Sequence, residues 1–136
     1  MSQAGIQSEW SQLQAEYDSY EKQGLLIKLL AITVVALALI VGATSLALPV
    51  VLLIVWLQDA IWKTFQARIE KRLLKLESAL ANKSTDVAPY QYNNDFQASR
   101  ASGGGLIAEY LSQALRPTVA YPHVALLLVW LIYRIF

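Results

Sequence analysis

Three apolar runs, residues 25–41, 46–57 and 124–136, alternate with polar stretches along the chain. Each is short of the roughly 20 residues a membrane-crossing helix needs. Gly24, Trp62, Tyr121 and Pro122 at their flanks extend them towards the interface. Only Gly42, Ala43, Thr44 and Ser45 separate the first two runs. Two apolar runs joined by so few small residues predict a tight transmembrane helical hairpin.

The polar stretches carry periodicity of their own. Ile6, Trp10, Leu13, Tyr17 and Tyr20 recur at alternating spacings of four and three, a heptad stripe that runs into the first apolar segment. Ser2 is the expected N-cap. Pro49 falls in the first turn of the second helix, where early N–H groups lack helical partners anyway. Past Asp59, which marks the membrane boundary with Trp56 and Trp62 as belt residues, the second helix continues. Its stripe is Trp62, Phe65, Ile69, Leu73, Leu76 and Leu80, and Lys63, Arg68, Lys71, Arg72 and Lys75 occupy the opposite face.

A turn near residues 43–44 sets the register of the two extensions, because antiparallel helices rise equally per residue. Partners then have numbers summing to about 87. Glu16 is expected near Lys71, Asp18 near Arg68 and Leu13 near Leu74. An acidic helix thus faces a basic one, with Trp10, Leu13, Tyr17, Trp62, Phe65 and Ile69 supplying apolar contact and charge fixing orientation. The alternative is that both helices are solvated separately or lie on lipid headgroups.

Residues 84–105 lack periodicity and end in three glycines, which reads as a flexible loop. Tyr90, Tyr92 and Phe96 make it unusually aromatic, suited to docking on the chain's own helices or on a partner. Residues 106–115 form an amphipathic helix expected to lie flat at the membrane interface before Pro117. A third, short span starts at Pro122. Its 124–136 run covers about 20 Å as a helix, so tilt, thinning or Arg134 reaching the far headgroups must accommodate it. A re-entrant placement is the other option.

The predicted fold is therefore all-α: a transmembrane helical hairpin with long cytoplasmic helical extensions, an interfacial helix and a short third span. In order these are a cytoplasmic amphipathic helix over 1–23, the hairpin over 24–62, an extension over 63–83, the loop over 84–105, the interfacial helix over 106–117 and the third transmembrane segment over 118–136.

Composition narrows the function. The 136 residues are 56% hydrophobic with a net charge of +1, so there is no basic surplus for nucleic acid. The absence of cysteine removes disulfides, thiolate metal sites and thiol catalysis. Residues 1–21 hold Glu9, Glu16, Asp18 and Glu21 but no Lys or Arg, unlike a signal peptide, so the first run is expected to be retained as an anchor. Lys and Arg cluster between the second and third runs, which places that segment and the N-terminus in the cytoplasm and the C-terminus on the opposite face.

No catalytic constellation is legible. His123 is the only histidine and reads as an interfacial ring with a satisfied partner rather than a pH sensor. The serines near the triple glycine have no nearby base. Gly103, Gly104 and Gly105 before a helix read as a hinge. No enzyme, cofactor or metal is expected. Lys28 sits one turn into the first span, where it can snorkel to the cytoplasmic face. If hairpins assemble in a ring, Lys28 or Asp59 can instead line a pore mouth.

On the stretches Tyr20-Glu21-Lys22-Gln23-Gly24-Leu25-Leu26-Ile27-Lys28 and Trp56-Leu57-Gln58-Asp59-Ala60-Ile61-Trp62, continuing through Arg68 to Leu73, the chain resembles small bacterial inner-membrane proteins of the SLATT-like type. That resemblance implies an effector in bacterial defence that forms pores when a partner sensor signals. The third apolar segment departs from the two-span form. The expectation is an oligomeric, channel-like effector among membrane lipids, a homo-oligomer controlled through its cytoplasmic helices by a cytoplasmic protein partner. The alternative is a non-conducting accessory subunit or anchor of a larger complex. A third reading is an immunity-type protein that blocks a toxin in the membrane.

Overall fold

The computed structural model describes residues 2–84, 86–100 and 102–136. The chain folds into five helices: α1 (Ser2–Ile40), α2 (Ala47–Ala81), α3 (Tyr92–Ser99), α4 (Gly104–Ala114) and α5 (Pro117–Ile135). There is no strand among the described residues. α1, α2 and α5 are each long and apolar enough to cross a membrane. The side chain of Ser2, expected as the N-cap of α1, lies outside the described residues.

α1 ends in a Schellman turn. The Ala43 N–H donates to the Ala38 carbonyl at 2.7 Å and the Gly42 N–H to that of Leu39 at 3.1 Å. Gly42 holds φ +71 there, a conformation that a Cβ disfavours. The turn sends α2 back along α1. Hydrogen bonds then join Gln3 to the Ser84 carbonyl, Trp10 to Glu77, Glu21 to Gln66 and Lys28 to Asp59. In all these pairs the residue numbers share one sum, so the register holds over the whole length of the two helices.

α5 runs alongside this hairpin, antiparallel to α2. His123 meets Asp59 near the start of α5, while Trp130 Nε1 and Arg134 donate to the Thr44 carbonyl at the turn. At 19 residues it is about 28 Å long, close to the roughly 30 Å of a hydrocarbon core. It begins at Pro117, and Pro122 lies within it, not at its start. α4 also runs back along α2: Glu109 faces Arg68 and the Ala114 carbonyl accepts from Trp56 Nε1 at 3.0 Å. Ile107, Leu111 and Leu115 remain outward.

Two apolar cores result. Ala31, Val35, Leu48 and Leu52 form one at the turn end, joined by Leu126, Leu127 and Trp130 of α5. Ile6, Leu76 and Ala79 form the other at the far end, joined by Trp10, Leu13, Leu80 and Val87. Most of the remaining apolar surface faces outward. Only 17%, 28% and 11% of the apolar windows of α1, α2 and α5 is buried.

Three expectations change. Residues 84–105, read as a loop, contain α3, whose Tyr92, Asp95, Phe96 and Ser99 repeat with helical spacing and line a cleft against α2. Among the described residues, Glu16 and Lys71 form no ion pair; both are exposed. Asp18 instead accepts from Gln14, Arg68 faces Glu109, and Leu74 is exposed. The register is right but the rotation of α2 differs. α2 turns Asp59, Gln66, Arg72 and Leu76 towards α1, and Ala67, Arg68 and Lys71 towards α3 and α4. Arg72, expected on the face opposite the apolar stripe, is consequently buried.

Candidate functional site

Between the two apolar cores, at the level where the apolar runs begin, lies a polar layer. Lys28 from α1, Asp59 from α2 and His123 from α5 converge there. The Lys28 ammonium is 3.1 Å from both carboxylate oxygens of Asp59, and His123 Nε2 is 2.9 Å from Asp59 Oδ2. Asp59 and His123 are fully buried, with Lys28 about a quarter exposed at 23%. Gly24 borders the pair: a Cβ there would stand 3.8 Å from Lys28 Nζ and 3.9 Å from Asp59 Oδ1, in ordinary contact with both.

The chemistry follows from the partners. A carboxylate only accepts, so His123 donates through Nε2–H and its Nδ1 is an acceptor. Nδ1 is buried and has no hydrogen-bond partner. Trp56 stacks on the same ring, at 6.0 Å between centroids and 12° between planes. One carboxylate thus binds three helices through one cation and one imidazole. Charge in such a place persists only when paired.

A second polar cluster stands one helical segment further along α2. The Arg72 guanidinium grips Glu9 by two hydrogen bonds, Nε to Oε1 at 2.8 Å and Nη2 to Oε2 at 3.0 Å. It also donates to Asp95 and to the Ala88 carbonyl. Burial opposes its charge, but the hydrogen bonds and charge of Glu9, then of Asp95, outweigh burial and raise its pKa above the usual value. Glu9 Oε2 also accepts the Tyr90 N–H, and Pro89 packs on Gly5. Arg72 so ties α1, α2, α3 and the connecting 86–91 segment together.

The structure sorts the expected site residues into four groups. Lys28 and Asp59 face each other inside the chain. Trp10, Leu13, Tyr17, Trp62, Phe65 and Ile69 lie along the α1–α2 seam or beside it: Trp10 donates to Glu77, the Tyr17 carbonyl accepts from Gln66, and the Trp62 ring sits 4.8 Å from that of Tyr20. Glu16 is outside the seam and Lys71 lines the cleft beside α3 and α4. Of the loop aromatics, Tyr90 attaches through its backbone while Tyr92 and Phe96 turn towards α2. The sequence pattern names no partner for His123, Glu9 or Arg72. Glu9 and His123 each sit within a turn of an aromatic or proline marker, but no local pattern reveals a partner over 60 residues away.

Among the described residues no group of three or more His, Asp or Glu is placed to hold a metal ion. No protein-family model, no curated protein and no solved structure matches the chain.

Proposed function

We propose that the chain is an integral membrane protein with three spans, and that it acts as an oligomeric, channel-like effector of the SLATT-like kind in the bacterial inner membrane. The observation that carries this reading is the inverted distribution of side chains. Leucines and valines of α1, α2 and α5 face outward, whereas Asp59 and His123 are among the most deeply buried side chains. Outward apolar surface on this scale needs lipid or further copies of the chain to cover it. Ionisable groups inside an apolar helical layer are retained for function by default.

In this reading α1 and α2 beyond the polar layer are cytoplasmic and receive the signal, N-terminus inside and C-terminus outside. A cytoplasmic protein partner acting there changes the α1–α2 seam, and the Lys28–Asp59–His123 layer transmits the change to the spans. Opening the layer would release Lys28 and Asp59 to a pore mouth. A non-conducting accessory subunit is the second reading, favoured by one specific observation: Lys28 and Asp59 already satisfy each other within one chain.

Native mass spectrometry of the nanodisc-embedded protein tests the first point, since a closed ring of several copies is expected and a monomer favours the accessory subunit. Planar-bilayer recordings test conduction. Lys28→Glu should alter ion selectivity, and unchanged selectivity with intact conduction would remove Lys28 from the pathway. The absence of cysteine lets single introduced cysteines report topology, with position 99 labelled from the cytoplasm and position 44 from outside.

A further inference from the structure

A cleft of about 790 Å³ lies away from the polar layer, between α2, α3 and α4. Five cationic side chains border it, Arg68, Lys71, Arg72, Lys75 and Arg100, against the carboxylates of Asp95 and Glu109. Arg72 and Lys75 are committed to Asp95, and Arg72 to Glu9 as well. Among the described residues, Lys71 and Arg100 take part in no ion pair.

Arg68 is the informative member. Its side chain is only 14% exposed, yet among the described residues the carboxylate it pairs with, Glu109, is 3.6 Å away, beyond hydrogen-bond reach. Its Nε is buried with no partner. The guanidinium is nevertheless held in place, 4.5 Å from the Phe96 ring centroid and 5.2 Å from that of Phe65. A buried donor left unpaired is costly, and a guanidinium fixed by rings has lost little further freedom to bind with. Lys71 lies one turn further along the same face of α2, and Arg100 follows the end of α3.

We infer that this cleft binds a phosphate-bearing anion, with Arg68 making planar, charge-assisted hydrogen bonds to the phosphate and Lys71 and Arg100 adding charge. Planar forked donors match phosphate oxygens better than they match a single distant carboxylate oxygen. The cleft is large enough for more than a bare phosphate, and Tyr92 and Phe96 offer flat faces to whatever the phosphate is attached to. Because α2, α3 and α4 each contribute, the ligand would clamp the two short helices onto the long one. On the membrane reading above, Arg68 stands nine residues past Asp59, about 13 Å along the helix, a few Å beyond a headgroup layer about 5–8 Å thick. A soluble phosphate compound and a lipid headgroup reached by tilt of the helix present the same chemistry to the cleft.

Two arms separate the sources, using the full chain throughout. Inorganic pyrophosphate is titrated calorimetrically into detergent-solubilised protein at about 0.15 M salt, where nonspecific surface attraction is screened. In parallel, native mass spectrometry counts phosphatidylglycerol retained from mixed nanodiscs against pure phosphatidylcholine ones. A single saturable pyrophosphate site, weakened at least about tenfold by Lys71→Gln and lost in Arg68→Gln, is the expected result for a soluble ligand. One retained phosphatidylglycerol, lost in the same variants, assigns the phosphate to a lipid. Arg134→Gln, at the far end of α5, should change neither. Lys71 is exposed, so its variant folds even if Arg68→Gln does not. No saturable binding in either arm, or binding indifferent to Lys71→Gln and Arg68→Gln, overturns the inference.

Discussion

The Asp59 carboxylate accepts the Nε2–H of His123 at 2.9 Å, although the two residues are 64 positions apart and both are buried. The same carboxylate neutralises Lys28, so its removal strands two groups. Asp59→Asn should lower stability by about 3 kcal/mol, as expected when one partner of a buried ion pair is removed. Replacing all three members by apolar residues of similar volume should restore most of that loss. Thermal unfolding in a fixed detergent, followed by circular dichroism, measures both. A midpoint unmoved by Asp59→Asn would show that the layer contributes no net stability.

Glu9 and Arg72 should couple strongly and Glu16 and Lys71 should not. The first pair is buried with two hydrogen bonds, whereas the second is exposed and unpaired among the described residues. In a double-mutant cycle of neutral substitutions, Glu9→Gln with Arg72→Met should give an interaction of about 2 kcal/mol, against under about 0.5 kcal/mol for Glu16→Gln with Lys71→Gln. The reverse order would mean that α2 is rotated from the position described.

Acid should loosen both the docking of α3 on α2 and the α1–α2 seam. The Lys75 hydrogen bond, opposed by burial and helped by the Arg72 charge, holds the Asp95 carboxyl below its ordinary value. The Gln66 hydrogen bond, opposed by burial and helped by Lys63, does the same for Glu21. A folded-state pKa below the unfolded one stabilises fully above about pH 4 and loses that stabilisation as pH falls through the folded value. Pepsin cleavage at Phe96 should therefore accelerate as pH falls below about 4. Asp95→Asn should remove that dependence for α3, leaving cleavage fast already at the top of the range.

The turn depends on Gly42. Gly42→Ala places a Cβ on a residue at φ +71 and should cost about 1 kcal/mol, read as a lower unfolding midpoint. Space is not the cause, because nothing lies within 4 Å of the added atom. Gly5→Ala tests the opposite mechanism. Its φ is ordinary, but the added Cβ would meet Pro89 Cγ at 3.0 Å, so the 86–91 segment should lift and become more protease-sensitive.

Much of the helical layout is legible in the sequence because its causes are local. The stripes at Ile6–Tyr20 and Trp62–Leu80 repeat at helical spacing, and Gly42 stops one helix where a left-handed residue is required. The short turn then fixes which level of α1 meets which level of α2, and Lys28 arrives opposite Asp59 by counting alone. α3 is legible in principle from Tyr92, Asp95, Phe96 and Ser99, but eight residues among Asn, Gln and Ser give a weak period.

Partner choice lies beyond such counting. α2 has α1, α4 and α5 around it, and a register between two helices says nothing about how the central one is rotated among three. That rotation sends Arg72 inward to Glu9 and leaves Lys71 at the cleft. Periodicity, turn length and the direction of the chain are therefore properties of the sequence itself, since each arises within a few residues. The buried Glu9–Arg72 ion pair and the Asp59–His123 hydrogen bond belong to the tertiary structure. Burying a charge or a polar ring is favourable only when its partner arrives with it, and Glu9 and Arg72, like Asp59 and His123, lie more than 60 residues apart.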